Sequence, residues 1–179
     1  MPTINQFSLL AKYNQLMNQR QYKATASLSM SELCEDKGAF FKSVFGTLNH
    51  IMVGDIIWLK RFFEHSNLEV LPYILQREAP KSLNTVLFTD FEELKKERET
   101  IDEIIISWIK SLTDCDLNKC ITYTSIDGKS FTKPLAGLIH HLFLHQVHHR
   151  GQVTTLLAQY GVDFGETDLI EIINVCKAQ

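Results

Sequence analysis

The chain has 179 residues, 45% hydrophobic and 22% charged, with a formal net charge of -3. That length fits one domain, residues 1–179, whose core needs no disulfide or metal staple, and the slight acidity offers no footprint for a nucleic-acid backbone. Its first residues lack the basic and apolar stretches of a secretory signal, and no run approaches the roughly 18 apolar residues of a membrane span, so a cytosolic protein without nucleic-acid or membrane partners is expected.

From Ile4 to about Ala26, the residues Phe7, Leu10, Tyr13, Leu16 and Met17 recur at helical spacing, with Thr3 or Asn5 as a suitable cap. Tyr13, Asn14 and Asn18 share the inward side of this helix and read either as cavity lining or as a core tyrosine with surface amides. A short acidic stretch, Met30 to Lys37, ends at Gly38, and a second helix is predicted from about Ala39 to Glu64. Pro72 and Pro80 break the periodicity between Ser66 and Lys81, which makes a long connection of the kind that permits parallel neighbours in a bundle. A third helix starts at Thr89 or Asp90 and ends near Leu112, its charged run from Glu92 to Arg98 reading as a solvated face. The β-branched run Ile121-Thr122-Tyr123-Thr124, then Asp127-Gly128 and Ser130-Phe131-Thr132, predicts a small hairpin. Pro134 suits the first turn of a fourth helix that ends near Tyr160 with Gly161 as its left-handed cap, and Asp168 to Lys177 reads as a short terminal helix. The expected fold is all-α: a four-helix bundle with long connections, a β-hairpin before the last long helix and a short C-terminal helix.

Cys34, Cys115, Cys120 and Cys176 are scattered, without a Cys-x-x-Cys pair, and read as reduced thiols rather than metal ligands. The histidines are more informative, because five of the seven fall between His140 and His149. An α-helix turns about 100° per residue. With His145 at zero, the apolar residues Leu135, Leu138, Ile139, Leu142, Val153, Leu156 and Leu157 span roughly 20° to 120°. His149 falls inside that arc and His145 at its edge, whereas His141 and His148 lie outside and His140 points away. Two histidines at i and i+4 stack on one helical face and can chelate one ion. A third ligand must come from another helix, where His65 sits at a helix end near solvent and His50 is the remaining candidate. Periodicity resists that choice. The apolar arc of the second helix, Phe40, Val44, Leu48, Ile51, Trp58 and Phe62, does not centre on His50, which faces outward with Gly46, Thr47, Gly54 and Ile57. Asp55 lies inside the arc and needs a partner, as a ligand-orienting group, an acid/base or half of an ion pair. Trp58 and Trp108 read as core aromatics.

Leu48-Asn49-His50-Ile51 with Asp55 and Trp58, followed by His145-Gln146-Val147-His148-His149-Arg150-Gly151-Gln152, resembles the DinB family of the wider DinB/YfiT-like group. The likeness extends to Tyr13-Asn14 with Asn18, to Gly38-Ala39-Phe40-Phe41 and to the stretch from Arg98 to Asp102. The resemblance implies a metal-binding four-helix bundle, commonly a homodimer, with one nickel- or zinc-type ion held by His50, His145 and His149. Three imidazoles leave an open position, so chemistry is expected. The resemblance further implies a transferase- or isomerase-like use of a low-molecular-weight thiol with a small electrophilic substrate. A metal-dependent hydrolase and a non-catalytic metal-holding dimer are the alternatives. The family's name records induction by DNA damage, a stress setting, but no recognition helix for DNA is present. Arg150 and Gln152 flank the histidine pair and read as a substrate carboxylate clamp or as helix-contact residues, and Gly151 as a point of close helix packing.

Overall fold

The computed structural model describes residues 3–64 and 72–173. His65, Cys176 and the end of the expected terminal helix lie outside the described residues. In chain order the elements are α1 (Ile4–Thr25), α2 (Met30–Cys34), α3 (Val44–Phe63), α4 (Pro72–Leu75), α5 (Phe91–Ser111), α6 (Asp114–Leu117), β1 (Cys120–Thr124), β2 (Ser130–Pro134) and α7 (Leu135–Gln159). A 3-10 turn, Leu169–Ile172, falls within the predicted terminal helix. The four long helices close a ring of contacts, α1 on α5, α5 on α3, α3 on α7 and α7 on α1. None of the helices is long and apolar enough, among the described residues, to cross a membrane.

Local chemistry accounts for most helix ends. Thr3 and Gln6 form a capping box at α1, and the Asp90 carboxylate accepts the Glu93 N–H at 2.9 Å to open α5. Gly161 takes the left-handed conformation at φ 71° just past α7. β1 and β2 pair antiparallel with Cys120 opposite Pro134, so Pro134 ends the hairpin instead of lying within the helix, which starts at Leu135.

The second long helix starts at Val44 rather than near Ala39. Lys42 adopts φ 68° and its N–H donates to the Ala39 carbonyl at 2.7 Å, which closes a turn, and Ser43 then caps the helix by accepting the Gly46 N–H at 3.0 Å. Phe40, assigned by periodicity to the apolar arc, is 82% exposed on this turn. A second correction concerns the outward face of α3. Sixteen of its twenty residues are buried, His50 among them, so the helix has no solvent side for His50 to occupy.

A third correction concerns α5, where Glu97 and Arg98 of the supposed solvated run are buried. Glu97 accepts from Arg77 and from the Tyr73 hydroxyl. Arg98 enters a buried polar network that joins all four long helices. It pairs with Asp55 of α3 and, at 2.9 Å, with Asp102 of its own helix. Asp55 also accepts from the Gln146 amide of α7 at 2.5 Å, and Asp102 from Asn14 and Asn18 of α1. Arg150 of α7 donates to Asn14, Asn18 and Gln146. Burial pushes Asp55 and Asp102 upward and Arg98 opposes it. Burial likewise works against the Arg98 cation, but the two carboxylates hold it above its ordinary value. Asp55 is therefore half of an ion pair, and Asn14 and Asn18 are buried amides bonded to Asp102 rather than surface amides, Asn18 also lining a cavity between α1 and α5.

Removing one partner of such a pair leaves an uncompensated buried charge. Arg98→Met is expected to lose about 3–5 kcal/mol of unfolding free energy. Urea denaturation of the purified variant checks this, and an unchanged midpoint would mean that the network does not hold the bundle together.

Candidate metal centre

His145 and His149 lie on one face of α7, and α3 brings His50 against them. The Nε2 of His50 stands 3.2 Å from that of His145 and 3.1 Å from that of His149. The three ligand atoms lie within 4.8 Å of one another, and no other such group of histidine, cysteine or carboxylate side chains occurs among the described residues. His50 and His149 are buried, at 5% and 8% exposure, and His145 is half-buried.

Hydrogen bonding at the far side of two rings decides what their Nε2 atoms offer. The Nδ1 of His50 lies 2.9 Å from the Leu83 carbonyl, which only accepts, so Nδ1 carries the proton and Nε2 a lone pair. His149 is held the same way, with Nδ1 2.8 Å from the Gln152 side-chain oxygen while the Gln152 amide nitrogen lies toward His148. Two lone pairs therefore face each other at 3.1 Å with no proton between them. A cation resolves that repulsion. Imidazole nitrogens at about 2.0–2.1 Å from one tetrahedral ion stand roughly 3.3 Å apart, close to the separations found. Burial pushes all three rings below the ordinary histidine value, His145 furthest, down to about 3 with neighbouring histidines adding to the effect. The rings are thus neutral, as metal ligands must be.

The surrounding chain explains how His50 reaches this position. Asn49 accepts the N–H groups of Leu87 and Phe88 at 2.9 and 3.0 Å and donates to the carbonyls of Phe45 and Phe88, which pins the loop after α4 onto α3. That loop carries the Leu83 carbonyl to His50. On the other side Phe41 stacks on the His50 ring, with centroids 3.7 Å apart. Gly46 allows this, because a Cβ there would stand 2.2 Å from the Phe41 carbonyl oxygen. Gly54 performs the same service for His145, whose Cε1 would meet a Cβ at 2.6 Å. Gly54 and Asn49 carry a signal in the sequence only as small or polar residues beside His50.

The other histidines are elsewhere. His141 is exposed against Trp58 with its ring 6.0 Å from His145, His148 is exposed, and His140 packs on Phe7. Arg150 turns into the buried network instead of flanking the histidine triad, and Gln152 orients His149. Gly151 is no packing point, since a Cβ there would meet nothing within 4 Å. Cys34, Cys115 and Cys120 are exposed and free.

The sequence pattern of the DinB family matches residues 1–175. The chain belongs to the DinB family. Its fold is similar to the crystal structure of a DinB-like protein from Bacillus cereus ATCC 10987, at 19% identity and a TM-score of 0.62, covering 92% of this chain and 97% of that one. No curated protein matches the sequence. Within this DinB family chain the buried histidine triad is positioned to hold a metal ion, and its donor set is three neutral nitrogens.

Two substitutions test the supports without touching a ligand. Gly54→Ala is expected to displace the His145 ring and lower the stoichiometry of bound zinc while circular dichroism stays helical. Asn49→Ala should free the loop that orients His50 and weaken zinc affinity by about 10–100-fold. Zinc titration monitored by calorimetry measures both, and wild-type affinity in both variants would refute this account of the supports.

Proposed function

We propose that His50, His145 and His149 hold one divalent transition-metal ion, nickel or zinc, and that the protein is a metal-dependent enzyme using a low-molecular-weight thiol, a thiol S-transferase. The contact between two Nε2 lone pairs carries the metal assignment. The donor set supports the rest, since three neutral imidazoles leave both charges of the ion unbalanced and so favour an anionic fourth ligand. When bound, the ion would supply Lewis acidity, which favours the thiolate form of a thiol co-substrate.

The protein's own residues orient and shield. Leu83 and Gln152 fix which nitrogen of His50 and His149 faces the centre, and Phe41 covers the His50 ring from water. Neighbouring histidines act on His145 and His149, and the cluster of possible metal-binding groups among the described residues contains no carboxylate. A hydrolase would call for a general base to activate water, and Asp55 is engaged by Arg98 and Gln146. A nucleophile delivered by a thiol co-substrate needs no such base. A cavity of about 610 Å³ lies on the other side of Phe41, with Phe45, Asn49 and Val86 in its walls and none of the three histidines among them.

His145→Ala and His149→Ala are expected to abolish stoichiometric metal binding, whereas His141→Ala and His148→Ala keep it; elemental analysis of the purified variants decides. In the cobalt-substituted protein a low-molecular-weight thiol should shift the visible spectrum and support conjugation to an electrophile such as chlorodinitrobenzene, both effects disappearing with His50→Ala. A spectrum indifferent to thiols, with conjugation at the uncatalysed rate, would instead favour a metal-holding homodimer.

A further inference from the structure

Residues 38–42 form a short loop beside the histidine triad. Its base is closed by the Lys37 N–H, which donates to the Lys42 carbonyl at 2.8 Å, and Lys37 is itself paired with Glu35 and seated over the Tyr160 ring. At the tip Phe40 is 82% exposed, while the Phe41 ring stacks on His50 and meets the His149 ring edge-on, with centroids 5.6 Å apart. Phe41 is also a wall of the cavity of about 610 Å³, which none of the three histidines lines. One aromatic ring thus stands between the candidate metal position and that cavity.

The loop holds this ring at a conformational cost. Both of its ends are left-handed, Gly38 at φ 74° and Lys42 at φ 68°. Glycine takes that conformation freely and lysine does not. The Ser43 N–H donates to the Phe41 carbonyl at 2.8 Å, an i to i+2 bond across Lys42 in the pattern of the rare and strained γ-turn. Lys42 is exposed, so the strain serves the placing of Phe41 and not the burial of its own side chain.

The cavity volume falls within the roughly 300–1,000 Å³ of small-molecule sites. Phe40, Phe45 and Val86 give it apolar wall, and the face of His50 that now carries the Phe41 ring would accept a ligand ring by the same stacking. We propose that Phe41 is a gate: the loop swings about Gly38 and Lys42, lifts the ring off His50 and joins the cavity to the triad, so that a small molecule with an aromatic body reaches the centre from that side. This rests on the metal reading above but not on the use of a thiol.

The test uses the full chain loaded with cobalt and two nitrogen ligands. Phenylimidazole needs the open gate, whereas imidazole carries the same donor without the body. The ratio of their affinities, read from the visible cobalt spectrum, therefore follows the fraction of open chains. Gly38→Ala places a methyl group in open space but at a left-handed φ, which weakens the closed loop. It should raise the preference for phenylimidazole about fivefold, and Lys42→Gly, which relieves the same kind of strain, should lower it about fivefold. Phe41→Ala removes the gate and should raise the preference at least as far as Gly38→Ala. With one cobalt per chain, a preference unchanged in both hinge variants, or moved the same way by both, overturns the gate and leaves the metal assignment standing. A wild-type chain that takes up no cobalt overturns the two together.

Discussion

The Asp55 carboxylate is the group on which the rest of the structure depends. It is fully buried in α3, and it is held there by Arg98 from α5 and Gln146 from α7. A charge buried this deeply is tolerated only when paired and hydrogen-bonded, so the three helices have essentially one mutual register. Gln146 follows His145 directly, and Gly54 precedes Asp55 directly. The bond that satisfies Asp55 therefore also sets the His145 ring against the one residue of α3 that has no side chain to obstruct it. His50, about one turn earlier on α3, then meets His145 and His149.

Adjacent residues on α7 serve different partners for a geometrical reason. A step of about 100° separates His149 from Arg150, so one faces α3 and the other reaches the polar network against α1. The run from His145 to Gln152 is thus not a single functional patch. His145 and His149 address the metal position, Gln146 and Arg150 the core, Gln152 the back of His149, and His148 the solvent. A helix with contacts on this many sides has little uniform amphipathicity, and its burial pattern reflects three neighbouring surfaces rather than one.

Orientation at His50 comes from outside the bundle. The loop after α4 contributes a backbone carbonyl to His50, and the turn before α3 contributes the ring of Phe41. Both are irregular segments held by specific bonds, the first by the four hydrogen bonds of Asn49 and the second by the left-handed Lys42 and the bare Gly46. The helices bring the three histidines together, the Leu83 carbonyl settles which nitrogen of His50 faces inward, and Gln152 of α7 does so for His149.

By itself the sequence determined the four long helices, the hairpin and the choice of His145 and His149, because helical and strand periodicity and an i, i+4 histidine pair are local properties of the chain. The third histidine was beyond local periodicity. On a wheel His50 looks outward, and elimination among the other histidines together with the likeness of Leu48-Asn49-His50-Ile51 to the DinB family pointed to it; the tertiary structure supplies the cause, since sixteen of the twenty residues of α3 are buried and Phe41 stacks over the His50 ring. The same holds for Glu97 and Arg98, whose charge reads as solvated until Asp55 and Arg77 come from distant positions to meet them, joining the Asp102 carboxylate one turn from Arg98. Charged side chains are buried when partners remote in sequence neutralise them, and that pairing exists only after the helices have packed.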